Sequence, residues 1–419
     1  MILFNRKQRL FLVAFAIFWL FLLVVLRFRA ARDPGSYFFQ PEVGYRPQYS
    51  LQRIDESLDY LRPYNQSFND PQHPQRNFTA ASDNATICVG IVTVKRPLQQ
   101  NIDTTVASIL DNLSEQERST LSVHVLFALT SPADHPDYRQ PWLSNVVDRV
   151  LTYEQLGAPI STIRKMENKK DIKRKSIIDY HLSLKSCYED SNAPWIMMLE
   201  DDVVAQRAWY NRTMQSLETI QSWRSSGAVK NWLYVRLFYT EKFLGWNSEN
   251  WPTYASCSVG IVTMVAVIGF MTRRKLRPMQ TVLTNSFIVI VCSVCVPLLI
   301  TLYFLAGRVT MQPMKPGIHL MNGHGCCSQA LVFPRENVPQ LLDHMEKARY
   351  AHPYAVDSVI EHMADANGLD RLVIVPSQMQ HVGAASYKEN RKQYNLKGPH
   401  QVQGAHGVWS MGFEKAFEE

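Results

Sequence analysis

Three long apolar segments constrain what this chain can fold into more than any other feature of its sequence. The first runs from Leu10 to Leu26, seventeen residues without a charged side chain, and basic residues flank it on both sides. A cleavable signal peptide has an apolar region of about 7–15 residues, followed by small residues at the cleavage site. Because Arg27 and Arg29 follow at once, we predict a cytoplasmic tail at residues 1–9 and a retained transmembrane signal anchor at residues 10–28.

The other two apolar segments are separated by a short basic loop. They run from Ala255 to Met271 and from Val282 to Leu305, and the loop at residues 272–279 carries four cations. Short loops rich in Lys and Arg stay on the cytoplasmic side of a membrane. A buried hairpin in a soluble core is the alternative, but it would leave two long uncharged spans to be covered. We therefore predict a transmembrane helical hairpin over residues 255–305.

This arrangement predicts a multi-pass membrane protein whose large segments, residues 29–254 and 306–419, face the lumen of the secretory pathway. The N-x-S/T sequons all lie in these segments, at Asn65, Asn77, Asn84, Asn112 and Asn211, and such sequons are glycosylated on the lumenal side. The oxidising lumen permits two disulfides there. The three possible pairings stay open among Cys88, Cys187, Cys326 and Cys327.

A second pair of cysteines, Cys292 and Cys295, has the C-x-x-C spacing but lies inside the third apolar segment. Surrounded by lipid-facing residues, these small side chains are expected to pack rather than to bind zinc or to undergo redox chemistry.

The lumenal chain changes character at Ile87. Residues 29–86 are rich in Pro, Asn, Gln, Tyr and Arg, and predict a stem with one short helix around Ser50–Leu61. After it, strands (88–94, 121–129, 146–151, 195–199, 330–333, 372–375) alternate with helices (101–113, 165–189, 336–349, 355–367). This alternation predicts an α/β fold with a mostly parallel sheet.

The charge balance argues against a nucleic-acid partner. The net charge is +7 over 419 residues, whereas nucleic-acid binders carry a dense basic stripe with interleaved aromatic residues. One short basic run, Lys169–Lys175, begins a helix. We expect a solvated face for most of it, with Lys175 as the cation that reaches a pyrophosphate.

The acidic triplet Glu200-Asp201-Asp202 is the most informative stretch for function, because it follows directly on the buried strand Trp195–Leu199. Ligands of α/β sheets bind at the carboxyl ends of strands. Oxygen ligands there suit Mn²⁺ or Mg²⁺, which bridges a diphosphate. The alternative is an acidic cap on the helix that follows, and the triplet taken alone favours that cap.

Other candidate residues follow later in the chain. His381 comes just after the last predicted strand and is either a metal ligand or a hydrogen-bonded surface histidine. Asp357 opens a predicted helix and is either a general base or an acid favoured by the helix dipole. The glycine-rich stretch Gly323–Cys327 either lets the backbone approach a ligand closely or makes a tight turn.

Several stretches together resemble GT-A-fold glycosyltransferases, in particular the N-acetylglucosaminyltransferase IV group and its relatives. They are Gly90-Ile-Val-Thr-Val-Lys-Arg96, Lys175-Ser-Ile-Ile-Asp-Tyr180, Leu199-Glu-Asp-Asp202, Pro353-Tyr-Ala-Val-Asp357 and Gln380-His-Val-Gly383. An N-terminal anchor with a transmembrane hairpin that splits the catalytic domain looks like the post-GPI-attachment N-acetylgalactosaminyltransferase family of the Golgi.

That resemblance implies a GT-A-type domain in two parts, residues 87–254 on the nucleotide-sugar side and 306–419 on the acceptor side. It implies that Thr93, Lys95, Glu200, Asp201 and Asp202 surround the nucleotide, with Mn²⁺ or Mg²⁺ on Glu200, Asp202 and His381. The triplet departs from the family pattern Asp-x-Asp in being Glu-Asp-Asp.

The resemblance also implies chemistry and location. Asp357 would deprotonate the acceptor hydroxyl in an inverting transfer from UDP-GalNAc to the first mannose of GPI anchors on proteins, in the Golgi membrane. Two other classes remain at this stage: a transferase of the same fold that acts on N-glycans, and a non-catalytic membrane protein with a transferase-like binding module.

Overall fold

The computed structural model describes residues 4–65, 85–96, 99–227, 229, 231–321, 327–349, 355–383 and 408–415. They form two compact units. The first consists of the described residues up to Arg46 together with Glu241–Met314, and the second consists of Pro47–Thr240 and the described residues from Lys315 onwards. The sequons at Asn77 and Asn84, the stretch Asn322–Cys326, and Pro353 and Tyr354 lie outside the described residues.

The first unit is helical. Its helices are α1 (Arg6–Arg29), α2 (Pro41–Gly44), α10 (Trp251–Lys275), α11 (Asn285–Ile290), α12 (Val296–Leu305) and α13 (Arg308–Met311), numbered with those of the second unit in chain order. A π-helical turn, Val291–Cys295, joins α11 to α12 into one span.

Three helical segments of this unit, Arg6–Arg32, Glu241–Lys275 and Asn285–Leu305, are long and apolar enough to cross a membrane. Many large apolar side chains of the first two segments are exposed, which suits contact with lipid, whereas the third segment is partly buried. Helix α1 lies against the third segment and the residues just before it: the side chain of Gln8 donates to the carbonyl of Val282 at 2.7 Å, and Trp19 donates to that of Leu298 at 3.1 Å. Cys292 and Cys295 carry free thiols within this segment.

The second unit is built on strands β1 (Ile87–Thr93), β2 (Leu121–Phe127), β3 (Arg149–Thr152), β4 (Trp195–Glu200), β5 (Val203–Ala205), β6 (Trp232–Arg236), β7 (Gly317–Leu320), β8 (Ala330–Pro334), β9 (Asp370–Val375) and β10 (Met379–His381). Eight of them form one sheet in the order β3-β2-β1-β4-β8-β6-β9-β7, and β5 pairs with β10 in a second, two-stranded sheet. The large sheet therefore takes strands from both sides of Glu241–Met314.

The prediction of a mostly parallel sheet is wrong for part of this sheet. Strands β3, β2, β1 and β4 are parallel, and so are β6 and β9, but β8 runs antiparallel to β4 and β6, and β7 antiparallel to β9. A strand buried on both faces has the same apolar composition in either direction. Its direction is decided by the neighbours that it pairs with, and the pairing is not visible in the local pattern.

Helices of the second unit are α3 (Tyr49–Asn65), α4 (Ile102–Leu110), α5 (Glu115–Ser119), α6 (Pro141–Val146), α7 (Ile160–Lys169), α8 (Ile172–Asp190), α9 (Trp209–Ser225), α14 (Val338–Ala348), α15 (Val356–Asn367) and α16 (Met411–Glu414). Alternate residues of β1 enter opposite apolar clusters: Val89 lies on one face of the sheet and Cys88 on the other. A disulfide joins Cys88 to Cys187 of α8, which selects one pairing from those that the sequence left open.

Two helices differ from their predicted extents. The single helix predicted over residues 165–189 is broken into α7 and α8 at Lys170, whose φ of +55° ends α7 in the left-handed conformation. Glycine is the usual residue at such a position, so the sequence carried no signal for the break. The helix predicted around Ser50–Leu61 is present as the longer α3, and it belongs to the sheet unit. There the fully buried Arg53 donates to the carbonyl of Ala205 at 3.0 Å.

Candidate active site

A cleft of about 400 Å³ opens at the carboxyl ends of β1 and β4. Its walls come from those strand ends, the first turns of α8, the residues before β8, the first turn of α15 and the end of β10. It brings together six of the residues singled out in the sequence: Lys175, Glu200, Asp201, Asp202, Asp357 and His381. Thr93 and Lys95 are not among the residues that line it.

The small sheet of β5 and β10 explains how His381 reaches the acidic triplet. Asp201 and Asp202 form the turn between β4 and β5, and His381 pairs with Val203 in the antiparallel register of β5 and β10. The imidazole Nε2 of His381 lies 3.2 Å from Oδ2 of Asp202, and the N–H of Val382 donates to the carbonyl of Asp202 at 2.8 Å. Burial disfavours the imidazolium, but attraction by Asp202 outweighs it and raises the pKa of His381.

Asp201 is tied into the protein by several donors. Its Oδ2 accepts from the hydroxyl of Thr93 at 2.7 Å and from the N–H of Val94 at 3.2 Å, and its Oδ1 accepts from Nε of Arg96 at 3.1 Å. Burial raises the pKa of Asp201, and Arg96 and Thr93 counteract that rise. Thr93, which the resemblance placed against the nucleotide, is fully buried behind this acid and also contacts His135.

Arg96 was not singled out in the sequence, although it ends the first of the quoted motifs. Its side chain lines the cleft, is 11% exposed and pairs with both acids of the turn: Nη1 lies 2.9 Å from Oδ2 of Asp202, and Nη2 contacts Asp201. The sequence signal that could have identified Arg96 is its position just after β1. Strand β1 pairs with β4 so that Val92 lies opposite Glu200, and the residues after the two strands therefore lie close together. Lys95, its neighbour, is exposed instead.

Lys175 lines the cleft, but its ammonium group already has partners. Nζ donates to the carbonyl of Ala128 at 2.7 Å and to Asp179 at 2.9 Å, and the side chain is 4% exposed. The hydroxyl of Tyr153 also donates to Asp179. A pyrophosphate would therefore have to compete with Asp179 for this cation.

Asp357 also lines the cleft and is half-buried, in the first turn of α15, where its Oδ1 accepts the N–H of Ser358 at 2.8 Å. A buried ion pair holds this helix: Arg236 of β6 donates to Glu361 of α15 at 2.7 Å. The same guanidinium donates to the carbonyl of Cys327, so one fully buried side chain supports two walls of the cleft.

The residues of the cleft fit a divalent cation. Asp202 and His381 form a close carboxylate–imidazole pair, and Glu200, which accepts the hydroxyl of Ser328 at 3.0 Å, lines the same cleft. A Cβ on Gly383 would lie 2.2 Å from Oδ2 of Asp202, so only glycine leaves that oxygen its space. Carboxylate oxygens suit Mn²⁺ and Mg²⁺, and imidazole is a ligand of transition metals, so this mixed set of donors is compatible with a divalent cation such as Mn²⁺.

Ligand atoms of three side chains come within 4.8 Å of one another at a different place in the described part of the chain, at Cys88, His124 and Cys187. Two of those three are joined in the disulfide, which removes the thiolates that a metal would need. Among the described residues, the ligand atoms of Glu200, Asp202 and His381 do not all lie within 4.8 Å of one another. Glu200 would therefore join Asp202 and His381 as a metal ligand only if its side chain moved closer to that pair.

Comparison with known proteins places the chain in a family. No curated protein sequence matches it. The sequence model of one family, described as GPI-N-acetylgalactosamine transferase PGAP4, matches residues 87–380, which is more than half of the chain. The match includes the residues that line the cleft except His381 and Val408, which follow it in the chain. The members of that family are glycosyltransferases that act on GPI anchors. The chain belongs to the GPI-N-acetylgalactosamine transferase PGAP4 family.

Proposed function

We propose that this protein is a Golgi membrane glycosyltransferase of GT-A type that transfers N-acetylgalactosamine from UDP-GalNAc to the first mannose of protein-bound GPI anchors, with a divalent metal and with inversion. One observation carries the proposal beyond the family match. One cleft at the carboxyl ends of the parallel strands β1 and β4 is lined by Asp202, by His381 beside it and by Asp357 from another element.

The donor side of the cleft would hold the nucleotide and the metal. Asp202, His381 and Glu200 are the residues that would bind Mn²⁺ or Mg²⁺, and the bound ion would neutralise charge on the departing diphosphate. Asp201 keeps the turn in place through its bonds to Thr93 and Val94.

On the acceptor side, Asp357 would take the proton from the mannose hydroxyl as the hydroxyl oxygen attacks the anomeric carbon. The new C–O bond forms on the face opposite the departing UDP, and the anomeric C–O bond to the diphosphate breaks. Asp357 is reachable from the cleft because it is only half-buried.

Three candidate membrane helices support a multi-pass membrane protein. We propose that the large segments face the Golgi lumen, where GPI-anchored proteins carry their glycan close to the bilayer. The chain leaves the sheet unit for Glu241–Met314 and returns to it, so these spans would tether the cleft to the membrane that carries the acceptor. A single anchor and stem would suffice for an enzyme that acts on N-glycans.

The test is UDP release by the detergent-purified full chain, with a panel of UDP-sugars, a GPI-glycan acceptor, and Mn²⁺ or EDTA. Asp202→Asn removes the charge at the proposed metal site, and Asp343→Asn is a matched control in an exposed ion pair with Lys347. We expect turnover with UDP-GalNAc that is lost in EDTA and in Asp202→Asn but kept in the control. Turnover that persists in EDTA would refute metal dependence, and folded protein without turnover on any donor would favour the non-catalytic binding module.

Product and location need separate measurements. The anomeric configuration of the transferred sugar, read by NMR, tests inversion, and a retained configuration would refute it. Sensitivity of the glycans at Asn65, Asn112 and Asn211 to endoglycosidases, together with microscopy against Golgi markers, tests the lumenal orientation and the compartment.

A further inference from the structure

Arg96 is paired with two acids of the cleft, Asp201 and Asp202, and the proposed reaction gives this arginine no role. The guanidinium bonds Asp201 through Nε and Nη2 and reaches Oδ2 of Asp202 through Nη1. Asp201 has two further donors in Thr93 and Val94. Asp202, in contrast, is the acid proposed to bind the metal, so a bound cation and Arg96 would both interact with the same carboxylate.

The contacts of Arg96 with Asp201 and with Asp202 lie in different parts of the site. Asp201 is held from behind by β1, so the contact between it and Arg96 can persist when the cleft fills. The contact with Asp202 lies where the metal and the diphosphate would enter. Once a cation satisfies Asp202, the Nη1 side of the guanidinium is left facing the ligand.

Among the described residues that line the cleft, the Lys and Arg side chains are Arg96 and Lys175. Lys175 is the more buried of the two and already bonds Asp179 and a backbone carbonyl. An arginine side chain stays charged in proteins. A planar guanidinium also matches phosphate oxygens with two parallel hydrogen bonds.

We propose that Arg96 is a donor-binding residue that occupies Asp202 in the empty cleft and, still anchored on Asp201, bonds the diphosphate of the nucleotide sugar when the cleft fills. This inference rests on the proposed function, since it takes a nucleoside diphosphate as the donor. The competing explanation is purely structural: Arg96 only neutralises Asp201 and Asp202.

A pair of variants separates the two explanations. Removing Arg96 alone would leave Asp201 buried without its cation, and that can unfold the site. The variant Asp201→Asn removes the carboxylate charge of residue 201 and keeps Arg96. The double variant Asp201→Asn/Arg96→Met then removes the guanidinium as well, and no buried charge at residue 201 is left without its partner. Arg96→Lys keeps a charge but loses the planar fork, and Arg224→Met is a control in an exposed ion pair with Glu336.

The measurement is the affinity of the detergent-purified full chain for UDP and for uridine by calorimetry, in Mn²⁺ and in EDTA, with melting temperatures as the test of folding. We expect the double variant to bind UDP about 10- to 100-fold more weakly than Asp201→Asn, the loss typical of a charged hydrogen bond, with uridine unchanged. The loss should be smaller in EDTA, because without a cation Arg96 stays bound to Asp202, and in Mn²⁺ the loss in Arg96→Lys should be smaller than that in the double variant.

Equal UDP affinity of Asp201→Asn and the folded double variant would overturn the inference in favour of the structural explanation, as would a loss equal for UDP and uridine. If the double variant does not fold, the affinities of Arg96→Lys and of the wild type for UDP and for uridine are compared instead, and an equal loss for both ligands, or no loss, overturns the inference. Wild-type protein that binds no UDP in either condition would overturn the proposed donor and this inference with it. UDP binding that is unaffected in the variants would overturn this inference alone.

Discussion

Replacing Glu414 by alanine should destabilise the sheet unit by about 4 kcal/mol, because this buried carboxyl group is the acceptor for three donors. Its Oε2 accepts the N–H groups of Gln48, at 2.7 Å, and of Ser50, at 3.2 Å, and its Oε1 accepts the side-chain amide of Gln380 at 2.9 Å. Glu414 itself is 3% exposed. The short helix α16 thereby joins α3 to the strand that carries His381.

The magnitude follows from the donors that lose their acceptor. A buried donor left without a partner costs about 1–3 kcal/mol, and the low end of that range is appropriate here because the amide of Gln380 keeps its bond to the carbonyl of Ser410. Three donors at about 1.3 kcal/mol each give about 4 kcal/mol. In a domain of this size, 1 kcal/mol shifts the melting temperature by about 2–4 °C, so we expect a fall of about 10 °C.

The assay is thermal unfolding of the detergent-purified chain, followed by tryptophan fluorescence. Glu414→Gln keeps one carbonyl oxygen as an acceptor and should lose about half as much, while Glu218→Ala, an exposed position on α9, should change little. A melting temperature of Glu414→Ala within 2 °C of the Glu218→Ala control would refute the reasoning.

Three further changes test other parts of the structure. Gly383→Ala puts a methyl group 2.2 Å from Oδ2 of Asp202, so it should abolish Mn²⁺-dependent turnover with a fall in melting temperature of only a few degrees; full turnover would show that this oxygen has room to move. Burial, with a smaller contribution from Arg149, lowers the pKa of His124 to about 4. The contribution of neutral His124 to stability, about 3 kcal/mol at most, is therefore complete above pH 6.5 and lost as the pH falls towards 4. The melting temperature should therefore depend less steeply on pH in that window in His124→Gln, but not in a His319→Gln control. Replacing residues 255–305 with a soluble linker should abolish transfer to membrane-anchored acceptors and spare UDP binding, whereas undiminished transfer would contradict the proposed tethering.

The local sequence carried much of this information because apolar patterning is a local property. The three apolar segments appear as helices of membrane-spanning length, and strands β1, β2, β4 and β8 lie close to where short apolar runs predicted them. The acidic triplet could be marked as a candidate because three adjacent acids after a buried strand need compensation. Its role, like those of His381 and Asp357, stays a prediction.

Other features depend on pairing between distant segments and had no local signal. The antiparallel direction of β8 depends on β4 and β6, and the break at Lys170 places a left-handed residue where the sequence offers no glycine. The short strands β5 and β10 decide that His381 meets Asp202. Arg96 gained its significance only when β1 and β4 were seen side by side.

The sequence by itself thus determined which segments are apolar, where most of the longer strands and helices lie, and which residue types are available for chemistry. Only the tertiary structure decided which of those residues share a cleft and which of its charges already have partners: Lys175 is held by Asp179, and Thr93 is buried behind Asp201. The physical reason is that hydrophobic periodicity is set by neighbours in the chain, whereas the partner of a buried charge is set by strand pairing between segments far apart in the sequence.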